Sequence, residues 1–469
     1  MQSTPSLNVD IAVIGAGTAG MHAFSAARRA GARVVMIDAG PLGTLCARSG
    51  CMPSKAVLHA GRRWRTLMEL LPGGSAGMLP AGHITPDDLW RSALAIRDEL
   101  VAGNVRQVER LGGADLLHAA ARFVGMDQLE LDDGRLIRAR AFVVATGSQA
   151  VKPAELAASL GDRLITTDEL FTLPHLPASV AVMGLGAIGL EMSLALSRLG
   201  VSVAAAGRSA VLANMADPQV AAEALAYFAQ QLPLAVGHKE IQVQREGDGI
   251  VMRAGGIEHY AQYLLAALGR TPRVQGLQWQ QAGVRMDERQ RPVMAPGALR
   301  CADSLVFLAG DAAPGPALMH EAGHEGTLAA HQALRALGDV RWADLPLPPR
   351  TTPLSIVFSD PDLVQVGLRF DQLPADAVIG TVEGHGSGRS RLMQAPHHLL
   401  RLYAERSTGR LLGASIFCAG GEHLAHELAW AVQRGETVES MLELPYYHPT
   451  LEEMIDTALR DMRRQLRAA

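Results

Sequence analysis

Apolar and polar positions follow two different periods along this chain, and the switches between them outline repeated strand–turn–helix units. Val9-Asp-Ile-Ala-Val-Ile14 is a short β-branched run that stops at Gly15-Ala-Gly17-Thr-Ala-Gly20, and the spacing from Met21 to Ala30 then predicts a helix. A second run, Ala32-Arg-Val-Val-Met-Ile-Asp38, predicts a strand that ends on an acid. The same order returns downstream. Ser179-Val-Ala-Val-Met183 leads into Gly184-Leu-Gly186-Ala-Ile-Gly189-Leu-Glu191, followed by a helical stretch to Leu199 and a strand from Val201 to Ala206. Between these units Ala141-Phe-Val-Val-Ala145 closes on Thr146-Gly147-Ser148, and the apolar run Leu305 to Ala309 ends at Gly310-Asp311. From about Pro346 the texture changes. Pro346, Pro348 and Pro349 read as a linker, and strand-like runs (Leu354 to Phe358, His398 to Tyr403) then mix with helical stretches such as Glu422 to Arg434.

Strand, G-x-G-x-x-G, helix, strand and acid is the context that a dinucleotide site requires. Gly15, Gly17 and Gly20 let the backbone approach a pyrophosphate at the positive end of a helix. Asp38, 18 residues after Gly20, is placed to accept hydrogen bonds from a ribose. Gly184, Gly186 and Gly189 repeat the pattern, so two bound dinucleotides are expected.

Composition narrows the setting. At 469 residues, 48% hydrophobic and 19% charged, the chain is globular with room for about three domains. A net charge of -4 leaves no basic footprint for nucleic acid. The opening MQSTPSLNVD lacks the features of an export signal, and no apolar run approaches a membrane span. The reducing cytoplasm is the expected compartment. Two of only four cysteines, Cys46 and Cys51, fall in Thr44-Leu-Cys-Ala-Arg-Ser-Gly-Cys-Met-Pro-Ser-Lys55, the others being Cys301 and Cys418. A structural staple, a metal half-site and a redox pair are the candidate readings. A static disulfide is rare in that compartment and a redox-active one is the usual exception.

Taken together and in order, these motifs resemble the pyridine nucleotide-disulfide oxidoreductases of the two-dinucleotide type, most closely the dihydrolipoamide dehydrogenases. The likeness covers nearly the whole chain. It rests on Cys46, Cys51, Pro53, Ser54 and Lys55, on the first glycine fingerprint, and on Ala145 to Ser148. Gly269-Arg-Thr-Pro272, Gly310-Asp311, Pro316-Ala-Leu-Met-His320-Glu-Ala322 and His448-Pro-Thr-Leu-Glu-Glu453 complete it. The resemblance implies an α/β fold with two Rossmann-like dinucleotide-binding domains and a C-terminal α+β dimerisation domain. Its divisions are expected at residues 1–150 and 273–345 for FAD, 151–272 for NAD or NADP, and 346–469 for the dimer interface. The expected cofactor contacts are Gly15, Gly17, Gly20, Asp38, Lys55, Ala145, Thr146, Gly147, Gly269, Gly310, Asp311 and His320, with Gly184, Gly186, Gly189 and Arg208 on the nicotinamide side.

The residues also argue locally. If Cys51 opens a helix, its sulfur feels the positive helix end, which favours thiolate, and Lys55 falls one turn on along the same face. Cys46, set before that helix across Gly50, can reach back to Cys51. The resemblance makes Cys51 the sulfur against the flavin and Cys46 the outer sulfur attacked by a substrate thiol. It pairs Lys55 with Glu191 beside the flavin, where a buried cation needs a counter-charge. It makes His448 the acid–base, oriented by Glu453 rather than Glu452 and reaching the site from the other subunit of a homodimer. The expected reaction is electron transfer between dihydrolipoamide, or another small disulfide or dithiol, and NAD or NADP. Docking to a 2-oxoacid dehydrogenase complex is a further expectation of that family. No metal is expected, because a tetrahedral site needs four ligands and no second Cys or His pair accompanies the first; His59 stands alone.

Three departures qualify the likeness. Leu45 stands where the family has threonine, with Thr44 one place earlier. Tyr446 replaces a histidine. In Val203-Ala-Ala-Ala-Gly-Arg208-Ser209 no acid ends the strand, and an arginine and serine there suit a 2′-phosphate. Other disulfide reductases, glutathione-type or mercuric, are the alternatives. The tail Asp461 to Ala469 lacks the paired cysteines of a mercuric reductase, and Pro-Ser-Lys leans away from the glutathione type. The cysteine pair speaks against a soluble transhydrogenase, and a purely structural part in a multienzyme complex is the remaining reading.

Overall fold

A computed structural model describes residues 6–71, 82–384, 387–395 and 397–468. Residues 1–5, part of the segment read for an export signal, and Ala469 of the tail lie outside the described residues. The fold is mixed α/β and forms two compact units, built from residues 1–53, 94–151 and 270–349, and from residues 54–93, 152–269 and 350–469.

In the first unit the strand Ser6–Ile14 lies between Val34–Asp38 and Leu136–Val144, both parallel to it. Their C-terminal parts, Ile11 to Ile14, Val34 to Ile37 and Ala141 to Val144, are continuous buried apolar runs, as strands covered on both faces require. Leu136–Val144 serves two partners along its other edge. Its first residues pair antiparallel with Gln128–Leu131, and its last three pair parallel with Val306–Leu308. This brings Ile14, Val144 and Leu308, which lie one or two residues before three of the predicted motifs, to one end of the sheet. The helices Thr18–Arg29 and Met319–Ala336 pack tightly against each other, because a Cβ on Gly326 would lie 2.1 Å from the Ala19 carbonyl oxygen.

The second unit repeats the parallel plan with strands in the order Leu234–Val236, Ser202–Gly207, Ser179–Met183, Tyr263–Ala266 and Leu164–Ile165. It also holds a five-stranded antiparallel sheet ordered Leu354–Val357, Asp362–Gly367, Leu411–Cys418, Leu399–Ala404 and Val378–Glu383. The C-terminal helix Glu453–Arg467 buries Met454, Ile455, Ala458, Leu459 and Met462 along one stripe. Gly380 admits that helix, since a Cβ there would sit 2.3 Å from the Ala458 carbonyl oxygen.

Candidate functional site

The two glycine fingerprints fold in the same way. Gly15 has φ +106° and Gly184 +105°, and a Cβ on either would come within 2.3 Å of a neighbouring strand's carbonyl oxygen, that of Ala145 or Ala267. A Cβ on Gly20 or Gly189 would lie 1.8 Å from the carbonyl oxygen of Gly15 or Gly184, so only glycine closes either turn. Gly17 and Gly186 differ, for no atom lies within 4 Å of where their Cβ would be. Each cradle thus has one open side. The helices that follow, Thr18–Arg29 and Ala187–Arg198, start without a side-chain cap and without an acid in the first turn. Uncapped amides beside an open glycine suit a pyrophosphate.

Around the first cradle, Asp38 accepts backbone N–H groups from Ala16 (2.6 Å) and Gly40 (2.7 Å), one on each carboxylate oxygen, and each oxygen keeps a lone pair for another donor. The hydroxyl of Thr146 is buried and has no partner among the described residues. An unpaired buried hydroxyl is costly, and a bound dinucleotide can satisfy it. Ser148 joins three sequence motifs: it donates to Asp311 (2.6 Å) and accepts from Arg270 Nε (2.8 Å), while Arg270 Nη2 also donates to the Ser148 carbonyl oxygen (3.2 Å). Glu325 accepts the Gly310 N–H at 2.9 Å. Gly269, at φ +94°, precedes Arg270, and His320 lies half-exposed on the Met319–Ala336 helix with Nε2 3.8 Å from Glu321. Ser148 and Arg270 belong to motifs quoted from the sequence but are not among the expected cofactor contacts, and Glu325 carries no sequence signal of its own.

Register explains the second cradle's missing acid. Ile14 pairs with Ile37, and the next residue is Asp38; Met183 pairs with Ala206, and the next residue is Gly207. Gly207 therefore takes the place of Asp38, and a Cβ there would already press on Leu185 at 3.1 Å. Arg208 follows, exposed, and the Ser209 hydroxyl donates to the Val211 carbonyl oxygen at 3.1 Å.

Glu191 lies buried on the Ala187–Arg198 helix, with both carboxylate oxygens 2.9 Å from Lys55 Nζ. It is no helix-surface charge. The Phe358 N–H donates to its Oε1 at 3.0 Å, and the Phe358 ring lies 4.6 Å from Lys55 Nζ. A buried carboxylate with a cation and an N–H on it is satisfied rather than stranded. Arg198, two turns on, donates to the carbonyl oxygens of Ser359 (2.9 Å) and Asp360 (2.8 Å) and so anchors the segment that carries Phe358. Burial pushes the Arg198 guanidinium down to about 10. Neither Phe358 nor Arg198 carries a sequence signal for this task.

Cys46 sits in the short helix Leu45–Arg48, whose N-cap is Thr44: the Thr44 hydroxyl accepts the Ala47 N–H at 3.2 Å, and its own N–H donates to Asn104 Oδ1 at 2.9 Å. Thr44 is thus fully engaged one position before Leu45. Cys51 is the first residue of the helix Cys51–Leu70, which carries Lys55 in its second turn. Gly50 permits the approach of the two cysteines, because a Cβ there would lie 3.0 Å from the Cys46 Cα. Neither cysteine is in a disulfide. Its hydrogen bond with Cys51, and then burial, push the Cys46 thiol well above the ordinary range, so Cys46 keeps its proton. Its Sγ lies 3.9 Å from Met319 Sδ. Cys301 and Cys418 are buried elsewhere, and burial pushes Cys301 up to about 12, the mark of an inert thiol.

His448 is exposed, and its Nδ1 donates to Glu453 Oε1 at 2.9 Å. The Thr450 N–H takes Oε2 at 3.1 Å. Glu453 rather than Glu452 is the partner, and the His448 hydrogen bond followed by that of Thr450 holds its carboxyl below the usual range. That bond fixes the tautomer and leaves Nε2 as the imidazole's basic nitrogen. Tyr446 turns away, donating to the Met441 carbonyl oxygen at 3.2 Å. Among the described residues no group of three His, Cys, Asp or Glu is placed to hold a metal, and no helix is long and apolar enough to cross a membrane.

Two nucleotide cradles with a cysteine pair at a helix start are the parts of a dinucleotide-dependent thiol–disulfide enzyme. Comparison with known proteins gives the same class. The chain belongs to the pyridine nucleotide-disulphide oxidoreductase family, whose description matches residues 9–326, with the family's dimerisation domain matching residues 354–459. Members use FAD and NAD(P), so the chain is a flavoprotein oxidoreductase. It is 29% identical over 466 residues to a mercuric reductase of Streptomyces lividans, covering 96% of this chain and 95% of that one. It is 28% identical over 467 residues to a dihydrolipoyl dehydrogenase of Bacillus subtilis, covering 96% and 97%. In fold it is similar to the HOCl-induced flavoprotein disulfide reductase of Escherichia coli, with TM-score 0.79 at 20% identity over 96% of this chain and 99% of that one.

Proposed function

We propose that this chain passes two electrons between a small dithiol and a nicotinamide nucleotide through Cys46 and Cys51, with dihydrolipoamide as the first candidate dithiol. The observation that carries this reading is the cysteine pair: Gly50 closes it up and Cys51 stands at a helix start. A sulfur at a helix start is the better thiolate and so the better leaving group when its partner sulfur is attacked, which supports Cys51 as the inner and Cys46 as the exchanging sulfur. Dihydrolipoyl dehydrogenases recur among the full-length relatives, which supports lipoamide; the mercuric reductase supports the alternative of another reductase.

The net reaction is dithiol plus NAD(P)+ giving disulfide, NAD(P)H and a proton. Bound FAD supplies the two-electron relay between the cysteine pair and the nicotinamide. The chain's own residues do the rest. His448 of the partner subunit takes a proton from the substrate dithiol, and Glu453 holds the imidazole in position and stabilises its cation. In the oxidised form of the pair the substrate thiolate attacks Cys46 Sγ and breaks the Cys46–Cys51 bond, releasing the Cys51 thiolate. The second substrate thiol then attacks the first substrate sulfur and breaks its bond to Cys46, so the substrate leaves as a disulfide and Cys46 and Cys51 remain as the dithiol. Lys55, fixed by Glu191 and Phe358, sets a positive charge on the flavin side. Gly15, Gly17, Gly20, Asp38, Ala145, Thr146, Gly147, Gly269, Gly310, Asp311 and His320 are the proposed FAD contacts. The boundaries at residues 150, 272 and 345 are proposed as the limits of the two cofactor regions.

For the nucleotide we propose NADP(H). Gly207 removes the acid that would repel a 2′-phosphate, and Arg208 is exposed beside it. The reducing cytoplasm is the proposed compartment. The test is a panel on the FAD-loaded protein: lipoamide, glutathione disulfide and mercuric ion, each with NADH and NADPH, repeated in Arg208→Ala. Lipoamide turnover, with an NADPH rate that Arg208→Ala alone impairs, supports both parts. Turnover of mercuric ion alone would move the assignment to the mercuric type, and an NADPH rate unchanged in Arg208→Ala would remove that arginine from phosphate recognition.

A further inference from the structure

Within the second unit, the loop from Gly207 to Asp217 carries Arg208 and Ser209 away from the second cradle. The Ala213 N–H donates to the Leu185 carbonyl oxygen at 2.8 Å, which ties the loop to the middle of the second glycine fingerprint. Nearer its start, the Gly237 N–H is shared between the carbonyl oxygens of Gly207 and Ser209, each at 2.9 Å. Ala213 and Asn214 both take a left-handed backbone, with φ +52° and +56°. Residues other than glycine hold that conformation at a cost, and they keep it where the surroundings over-determine it.

Those surroundings are the antiparallel sheet. Asp217, fully buried, ends the loop as the N-cap of the helix Pro218–Phe228, its Oδ1 accepting the N–H groups of Gln219 (3.0 Å) and Val220 (3.2 Å). Its Oδ2 accepts the Tyr403 hydroxyl at 2.7 Å and lies 2.7 Å from Arg401 Nε, and both of these side chains come from the strand Leu399–Ala404 and are buried. Arg401 also donates to the Gln219 side chain. From the strand Asp362–Gly367, Gln365 Nε2 donates to the Asn214 carbonyl oxygen (3.4 Å) while its Oε1 accepts the Ala216 N–H (3.3 Å). Arg369 adds a second donor to the Asn214 carbonyl oxygen at 3.4 Å. A buried ion pair is often no more stabilising than apolar side chains of the same volume, so stability alone does not account for one here. Arginine, by contrast, recognises a phosphate through a planar fork whose aim matters. Resting on the reading of Arg208 as the 2′-phosphate contact, we propose that Gln365, Arg401 and Tyr403 are positioning residues. They hold the loop so that Arg208 meets the 2′-phosphate, and thereby set the preference for NADP(H) over NAD(H) without touching the nucleotide.

The experiment is calorimetric titration of the FAD-loaded protein with NADP+ and with NAD+, with thermal melts on the same samples. It compares the parent with Gln365→Leu, Tyr403→Phe, Arg208→Ala, and Gln365→Leu combined with Arg208→Ala. Gln365 is partly exposed and Tyr403→Phe keeps the buried ring, so both variants should fold. In each of them the Kd for NADP+ should rise about three- to tenfold, the scale of a lost hydrogen bond, while that for NAD+ stays within about twofold. In the Arg208→Ala background, Gln365→Leu should leave the NADP+ Kd where Arg208→Ala alone puts it, because a residue that acts through Arg208 then has nothing to aim. Equal rises for the two nucleotides would make these contacts a general support of the fold and overturn the proposal. Additive effects in the double variant would overturn it as well. A parent that prefers NADP+, with a preference unmoved in both single variants, leaves the nucleotide reading standing and removes this inference alone. A parent that binds NAD+ more tightly than NADP+ contradicts the nucleotide reading itself, and this inference falls with it.

Discussion

Asp362 shows how a single side chain can set the pH behaviour of this fold. It starts the strand Asp362–Gly367, is buried, and accepts the Glu422 N–H at 3.2 Å. Burial pushes its carboxyl up to about 7, with the neighbouring acids Glu422 and Asp360 adding to the rise. The folded chain therefore prefers the protonated acid, whereas the unfolded chain ionises near the ordinary value of about 3.9. With the folded pKa the higher, the stabilisation is complete below about pH 4 and is lost as pH rises through about 7. Asparagine keeps an oxygen for the Glu422 N–H and never ionises. Between about pH 5 and about pH 8, Asp362→Asn should gain up to about 3 kcal/mol relative to the parent. Denaturant melts at several pH values check this, and parallel stability curves for the two proteins would contradict it.

At the scale of elements, the two fingerprint turns are copies in geometry but should differ in what they hold. Alanine at Gly20 or Gly189 puts a methyl 1.8 Å from a backbone oxygen of its own turn, so each turn has to open. Gly20→Ala should emerge with little FAD, seen as lost flavin absorbance. Gly189→Ala should keep its FAD and show a KM for the nicotinamide nucleotide about tenfold or more higher. Loss of FAD in Gly189→Ala alone would reverse the assignment of the two cradles. These elements were legible because their signals are local: an apolar run, glycines at fixed offsets, then a helix period. The cysteine pair stood out by its spacing, whereas the parts given to Lys55, and to His448 with Glu453, came from the family resemblance rather than from a local pattern. What escaped was built from long range. Arg270 reaches Ser148, Phe358 reaches Glu191, and Arg198 reaches Ser359, across gaps that no periodicity records. Leu45 is accounted for only in part, since Thr44 caps the short helix and nothing in the structure explains leucine at the next position.

For the whole molecule, the dimerisation domain supports a homodimer. Trp430, Leu444 and Tyr447 within it are large apolar side chains left 63%, 51% and 81% exposed in the single chain, candidates for cover by a partner. If His448 serves the cysteines of the other subunit, two inactive chains should complement. Mixed dimers of Cys46→Ser with His448→Ala contain one site in which both groups are intact. Random mixing should then restore roughly a quarter of the parental dithiol turnover, from two proteins that have almost none alone. No restoration in verified mixed dimers would confine His448 to its own chain.

The central claim is that electrons pass through the Cys46–Cys51 pair, and the most direct measurement is dithiol turnover in Cys46→Ser and Cys51→Ser with FAD content determined on the same samples. Both variants should retain FAD, because neither cysteine lies in the fingerprint turns, and both should lose dihydrolipoamide-dependent reduction of NAD(P)+. Full turnover in either FAD-loaded variant would contradict the account.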